Sequence, residues 1–149
     1  MILFLDFDGV LHPQFEGIPT PADQLFCHLP RFETVMRDFQ KVQIVISSTW
    51  RYQFSLDQIR TRFSPDIAAQ IIGTTPETDQ DAYIPDRREQ EILSWLAATG
   101  NQDAQWIALD DAAWQFSQNR NRVVACAWYV GLDERMVTKL RNELVLHAT

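Results

Sequence analysis

The chain has 149 residues, of which 46% are hydrophobic, and it carries a formal net charge of −7 at pH 7. This length and composition predict one globular domain over residues 1–149 with its own hydrophobic core, and they argue against a disordered chain. The acidic balance argues against non-specific binding to nucleic acid or to an anionic membrane, because both need a basic surface.

The first predicted element is a short buried strand, Ile2 to Leu5, which runs into Asp6, Asp8 and Gly9. Consecutive apolar residues without alternation are typical of a central strand in a parallel sheet. Asp6 and Asp8 lie two residues apart, on one side of an extended chain, and paired carboxylates are tolerated where a cation binds between them or one holds a proton. Taken alone, the pattern also fits an acidic turn. The run lacks the features of a signal peptide, so we expect a cytoplasmic protein without a membrane span.

Residues 11–30 contain four prolines and predict an irregular loop. His12 and His28 lie within it, and we interpret both as loop or packing residues because no second histidine follows at metal-ligand spacing. Pro30 begins a predicted helix with one apolar stripe. A second buried strand, Val42 to Ile46, ends in the small polar residues Ser47, Ser48 and Thr49.

A helix is predicted from an N-cap at Ser55 to about Pro65, and a short third strand at residues 70–72. After a loop over residues 73–85, Asp86 is expected to cap a helix from Arg87 to Ala98, with Gly100 at its C-terminal end. A fourth strand, residues 106–109, runs into Asp110 and Asp111. A fifth strand covers residues 123–128, and Asp133 caps the last helix.

Alternating strands and helices predict a parallel sheet with helices on both faces, and such sheets bind ligands beyond the carboxyl ends of their strands. Three strands end in Asp6 and Asp8, in Ser47 and Ser48, and in Asp110 and Asp111. Carboxylates and hydroxyls without a cysteine or histidine cluster favour a hard cation, with Mg²⁺ as the leading candidate. Such a cation site could hold a phosphate oxygen on the metal, and the phosphoryl oxygens would then also need a basic side chain. Arg87 and Arg88 are the best-placed candidates, although surface arginines are common.

The segment Asp6-Phe7-Asp8-Gly9-Val10-Leu11 resembles motif I of the haloacid dehalogenase-like (HAD) superfamily. Ser47 is similar to the Ser/Thr of motif II, and the pair Asp110-Asp111 to the acids of motif IV. The resemblance implies a Rossmann-like, doubly wound α/β fold with three layers and five strands in the order 3-2-1-4-5. It also implies that Asp6 is the nucleophile, Asp8 the general acid/base, and Ser47 a phosphoryl ligand. Mg²⁺ would then bind Asp6, the backbone carbonyl of Asp8, and Asp111, with Asp110 in support.

One departure concerns motif III, which normally supplies a lysine. Lys41 and Lys139 are badly placed for that role, so Arg88, or otherwise Arg87, would have to substitute, and arginine differs from lysine in size and hydration. The run from Ser47 to Arg51, together with residues 88–96, resembles a small subgroup of HAD-like domains found alone or in RNA-repair proteins.

The segments where related hydrolases carry a cap domain are too short for one here, so the resemblance implies an open site. An open site suits a phosphate at the end of a larger molecule, such as a nucleic-acid terminus or phosphoprotein, and also admits small nucleotides. We expect Gly9, Ser48, Trp50, Arg51 and Arg87 to contact such a substrate. Trp50 is a candidate for stacking on a base, although packing beside the next helix is the favoured explanation of its position.

The leading hypothesis is therefore a Mg²⁺-dependent phosphatase that works through an aspartyl-phosphate on Asp6. The first alternative is a non-catalytic module that binds phosphorylated ligands or partners and has lost motif III. The second is a receiver-like signalling domain, which shares the sheet and the acidic pocket. Receiver domains, however, place the phosphorylated aspartate after a later strand and use a lysine.

Overall fold

A computed structural model of the chain describes residues 1–147. Its centre is a five-stranded parallel sheet in the order β3-β2-β1-β4-β5. The strands are β1 (Ile2–Leu5), β2 (Gln43–Ile46), β3 (Ile71–Thr74), β4 (Trp106–Asp110) and β5 (Val123–Ala125). The predicted fold class and strand order are confirmed.

In the described residues, four α-helices lie between strands and a fifth follows β5, and these residues contain no large cap. The helices are α1 (Leu29–Arg37), α2 (Leu56–Arg60), α3 (Pro65–Ala68), α4 (Arg87–Ala98) and α5 (Glu134–His147). Short 3₁₀ segments cover Thr49–Tyr52, Ala113–Gln115 and Arg120–Arg122. None of the described helices is both long enough and apolar enough to span a bilayer.

The sheet is covered on both faces because β1 is apolar at every position, and its neighbours β2 and β4 are apolar except at Gln43 and Asp110. Leu3 and Leu5 of β1 point into a core shared with α1, α2, α3 and α5. Ile2 and Phe4 point into the opposite core, which is closed by α4 through Ile92, Trp95 and Leu96. This is the predicted three-layer arrangement, with a single helix on one side.

The helix boundaries follow local signals at most positions. Ser55 forms a capping box with Gln58 at the start of α2, and Asp133 accepts a hydrogen bond from the Met136 N–H in the first turn of α5. Gly100, with φ of +73°, closes the end of α4 as predicted.

Two local predictions were wrong. Asp86 lies at the start of α4, but its backbone is left-handed and its carboxylate accepts from the Ser117 hydroxyl instead of capping the helix. The fifth strand ends at Ala125 and not at residue 128, because the Val130 and Gly131 N–H groups donate to the Ala127 carbonyl and form a turn.

Candidate active site

Three carboxylates meet at the carboxyl edge of the sheet. Asp6 follows β1, Asp110 ends β4, and Asp111 follows it, while β1 and β4 are adjacent with Leu5 opposite Leu109. Each of the three offers one oxygen such that these atoms all lie within 4.8 Å of one another. Asp6 and Asp110 are buried and Asp111 is half-buried. Parallel pairing of two strands that both end in acids thus creates one acidic cluster.

The electrostatics of this cluster favour a bound cation. Burial and the neighbouring Asp6 carboxylate raise the pKa of Asp111 to about 9. Burial and Asp6 also raise the pKa of Asp110, although Arg88 acts in the opposite direction. Carboxylates that repel one another in a confined space either hold protons or share a metal ion. Because the donors are all oxygen atoms, the cluster is a possible site for a hard divalent cation.

Arg88 is the cation that the protein itself supplies to the cluster. Its Nη1 lies 3.2 Å from Asp6 Oδ1 and 2.9 Å from Asp110 Oδ2, and the side chain is largely buried. Despite its burial, Asp110 and Asp6 raise its pKa above the usual value, so the guanidinium stays charged. Arg87 points elsewhere and donates to Thr78 Oγ1 and to the carbonyls of Asp79 and Ala82. Of the two candidate arginines, only Arg88 therefore reaches the acids.

Asp110 has a donor on each of its carboxylate oxygens. Oδ2 accepts from Arg88, and Oδ1 accepts from the Ala112 N–H at 2.8 Å. Asp6 also accepts a backbone hydrogen bond, from the Phe7 N–H at 2.9 Å. These contacts fix the orientation of the two buried carboxylates before any ligand binds.

Asp8 has a different environment from Asp6. Its Oδ1 accepts from His12 Nε2 at 2.8 Å and lies 3.3 Å from Trp50 Nε1. The His12 ring is fully buried, and its Nδ1 accepts from the Phe26 N–H, so Nε2 carries the hydrogen. Burial opposes the effect, but the hydrogen bonds from His12 and Trp50 lower the pKa of Asp8 below its usual value.

The serines after β2 have unequal surroundings. The Ser47 hydroxyl is buried and has no hydrogen-bond partner among the described residues. Buried hydroxyls are normally paired, so an unpaired one at the carboxyl edge of the sheet is an acceptor or donor available to a ligand. Ser48, in contrast, caps the following 3₁₀ turn, where its Oγ accepts from the Trp50 N–H.

Gly9 makes room for the cluster. Its φ is +76°, in the left-handed region that favours glycine. A Cβ at this position would overlap the Asp111 carboxylate. The glycine therefore allows the turn after β1 to pass close to the end of β4.

The placement of Arg51 differs from the expected substrate contact. Its guanidinium is buried and donates to the carbonyls of Ser47, Ser48, Thr75 and Pro76. It also forms an ion pair with Glu91 at 2.8 Å. Arg51 thus joins the loops after β2 and β3 to α4, and Arg87 and Ser48 likewise stabilise loops.

Trp50 packs against other aromatic side chains and also lines a cavity, while its stacking on a base stays a prediction. Its ring packs on Phe54 with centroids 5.3 Å apart and also contacts Phe7 and Phe26, while its indole N–H points at Asp8. It also lines a cavity beside Asp8. The packing explanation is therefore correct, and the same side chain still faces open space.

A central cavity of about 210 Å³ lies over the acids, and its wall includes side chains that the sequence did not single out. Asp6, Asp8, Arg88 and Asp111 line it, together with Gln14, Thr49, Ala112, Trp114 and Gln115. Trp114 is 64% exposed. The contact between His12 and Asp8 was not predicted from the sequence. The turn at Gly9 could have indicated it, because that turn brings residues four apart in the chain close together.

Comparison with known proteins gives one family. Residues 2–137 match the family model described as the HAD domain in Swiss Army Knife RNA repair proteins. Neither the curated proteins nor the solved structures include a match to the chain.

Proposed function

The chain belongs to the HAD-domain family of Swiss Army Knife RNA repair proteins, and from this membership we propose that it is a Mg²⁺-dependent phosphatase. The observation that carries the proposal is the cluster of Asp6, Asp110 and Asp111 with Arg88 bridging two of the three acids. An acidic cluster beside a buried cation suits phosphoryl transfer, in which charge on the phosphoryl oxygens must be balanced.

In the proposed mechanism, Asp6 attacks phosphorus and forms an aspartyl-phosphate, while Asp8 protonates the leaving oxygen. The negative charge of a bound phosphoryl group beside Asp8 would raise its pKa from the lowered value of the ligand-free site, so that it can hold this proton. Asp8 later accepts a proton from the water that hydrolyses the intermediate. The unpaired Ser47 hydroxyl is available to donate to a phosphoryl oxygen. The hydrogen bonds on Asp8 Oδ1 leave Oδ2 as the oxygen for proton transfer.

Mg²⁺ would be held by Asp6, Asp111 and the backbone carbonyl of Asp8, and when bound it would supply positive charge to the phosphoryl group. Asp110 is better suited to support than to direct ligation, because both of its oxygens already accept hydrogen bonds. The raised pKa of Asp111 fits this proposal, since a cation would replace the proton that the metal-free cluster favours.

Arg88 is proposed to take the place of the motif III lysine. It is the arginine that reaches the acids, and its contact with Asp6 Oδ1 orients that carboxylate as a nucleophile. Because its fork already contacts two carboxylates, its contact with a phosphoryl oxygen would be made by the donors that remain.

The lack of a large cap in the described residues supports a terminal phosphate on a nucleotide, an oligonucleotide or another macromolecule as substrate. The family description favours RNA among these. We propose that Gly9 and Trp50 border the bound phosphate and its carrier, whereas Ser48, Arg51 and Arg87 support the loops around them.

Replacement of Asp6 by Asn tests the proposal, with hydrolysis of p-nitrophenyl phosphate in Mg²⁺ as the assay. We expect turnover to fall at least about a thousandfold while circular dichroism shows a folded protein. Asp103→Asn, an exposed acid outside the cavity walls, is the matched control. Unchanged turnover in Asp6→Asn would refute the assignment of the nucleophile.

Calorimetry separates this function from a non-catalytic module that binds phosphorylated ligands. Mg²⁺-dependent binding of a phosphorylated oligonucleotide without hydrolysis would favour the binding module.

Arg88→Lys bears on the same question. A hydrolysis rate equal to or above that of the wild type would show that residue 88 takes the role of the motif III lysine.

A further inference from the structure

Two larger cavities adjoin the central cavity and share different wall residues with it. The first, here called the Trp50 cavity, has a volume of about 360 Å³ and shares Asp8 and Thr49 with the central cavity. Its other walls are Pro19, Thr20, Leu25, Trp50, Gln53 and Phe54. The second, the Trp114 cavity, has about 590 Å³ and shares Gln14, Asp111 and Trp114 with the centre. The substrate beyond the phosphate therefore has two possible locations.

The position of the proton donor distinguishes these locations. In a phosphatase reaction the leaving oxygen must lie within hydrogen-bond reach of the group that protonates it. Asp8 lines the central cavity and the Trp50 cavity, whereas the Trp114 cavity meets the centre at Asp111, on the proposed metal side. A leaving alcohol that takes its proton from Asp8 is therefore expected to lie in the Trp50 cavity.

The contacts of Asp8 strengthen this assignment. His12 and Trp50 both point their N–H groups at Oδ1, so a proton on that oxygen would oppose two donors. The transferable proton therefore belongs on Oδ2. Trp50 orients the carboxylate with its indole N–H and forms a wall of the adjoining cavity with its ring, so it couples proton donation to the group bound there.

The walls of the Trp50 cavity indicate the chemical class of its occupant. Leu25, Pro19 and the stacked pair Trp50–Phe54 supply apolar and aromatic surface, and Gln53 supplies an amide that can pair with a base edge. No basic side chain lines this cavity among the residues that the structure describes. Arg62 lies over the Trp50 ring, 5.5 Å from its centroid, but does not line the cavity. Such walls suit an uncharged group with a flat aromatic face.

We propose that the Trp50 cavity is the leaving-group site and that it binds a nucleoside. This inference rests on the proposed phosphatase function. As Asp6 attacks phosphorus, the bond between phosphorus and the nucleoside oxygen breaks, and its electron pair stays on that oxygen. The oxygen takes the proton from Asp8 Oδ2, and the nucleoside leaves as an alcohol.

The test compares uridine monophosphates, 3′ and 5′, with glycerol phosphate as substrates of the full chain in Mg²⁺. The variants are Phe54→Ala and the exposed Gln53→Ala, with Trp128→Ala in the Trp114 cavity as the matched control. In Phe54→Ala, we expect kcat/KM for the better uridine nucleotide to fall about tenfold more than kcat/KM for glycerol phosphate. In Gln53→Ala, the loss for the nucleotide should exceed the loss for glycerol phosphate severalfold. Trp128→Ala should show no such selectivity.

Equal losses for both substrate types in Phe54→Ala and Gln53→Ala would overturn the nucleoside assignment. A nucleotide-selective loss in Trp128→Ala would place the leaving group in the other cavity and would also overturn it. If the wild-type chain hydrolyses none of these substrates, the phosphatase proposal fails separately. Calorimetric binding of uridine 3′-monophosphate that is lost in Phe54→Ala would then still support the nucleoside site, and binding that survives would refute it.

Discussion

Replacement of Asp111 by Asn should stabilise the metal-free protein and remove its response to Mg²⁺. Burial and Asp6 raise the pKa of Asp111 from 3.8 to about 9. A carboxyl group with a raised pKa contributes most to folded-state stability while it is protonated, below its unfolded pKa. That contribution is lost as pH rises toward 9, so metal-free wild type should lose stability between about pH 4 and pH 9.

The size of the effect follows from the same shift. From pH 3.8 to pH 7 the shift corresponds to roughly 4 kcal/mol at about 1.4 kcal/mol per pKa unit, which is a ceiling. Because Asp111 is only half-buried, solvent screening reduces this to about 2 kcal/mol. Asn keeps the shape of the side chain and can donate to Asp6, so it removes the repulsion without leaving a cavity.

Urea unfolding in EDTA, at pH 5 and pH 8, measures this difference. At pH 8, one unit above pH 7, the free energy of unfolding of Asp111→Asn should exceed that of wild type by about 3 kcal/mol, and at pH 5 by less than about 1 kcal/mol. Mg²⁺ at a hundred times its Kd should stabilise wild type by about 2.7 kcal/mol and the variant far less. Asp103→Asn is the control. A variant no more stable than wild type in EDTA at pH 8, or equally stabilised by Mg²⁺, would refute the reasoning.

Two further predictions concern residues whose placement differs from the sequence-based expectation. His12→Phe removes the hydrogen bond that holds Asp8 Oδ1 and leaves Oδ2 free for the leaving oxygen. Its loss lets the pKa of Asp8 rise, but the lost orientation should still lower kcat for glycerol phosphate, which needs protonation of its leaving oxygen, about tenfold more than kcat for p-nitrophenyl phosphate; equal losses would show that His12 only packs. Arg51→Met removes the ion-pair partner of the buried Glu91 and the donor to several buried carbonyls, so urea unfolding should show a loss of about 3 kcal/mol; a raised KM without that loss would place Arg51 at the substrate instead.

The fold could be predicted from the sequence because the positions of the strands, the positions of the helices and the type of sheet all agreed with one another. Apolar runs located all five strands, and helices between them required a parallel sheet. Parallel strands present their carboxyl ends at one edge, which is why Asp6, Asp110 and Asp111 could be expected together. The organisation of residues 1–149 as one domain stays a prediction.

The choice between Arg87 and Arg88 could also have been made from helix periodicity. Arg88 precedes Ile92 by four residues and Trp95 by seven, so it lies on the buried face of α4. Arg51 offered no comparable signal. Its partners Thr75, Pro76 and Glu91 come from segments more than twenty residues away, and an exposed polar run looks the same in the sequence.

The two acids of the first motif illustrate a further limit of sequence patterns. Their spacing places Asp6 and Asp8 on one side of an extended chain, but β1 ends at Leu5 and the chain turns at Gly9. Asp6 therefore joins the carboxylates of β4, whereas Asp8 joins His12 and Trp50. The pKa of Asp8 is lowered by its donors, and that of Asp111 is raised by its acidic neighbour. Such opposite environments a few ångströms apart support separate tasks for the proposed proton-transfer carboxylate and the proposed metal ligands.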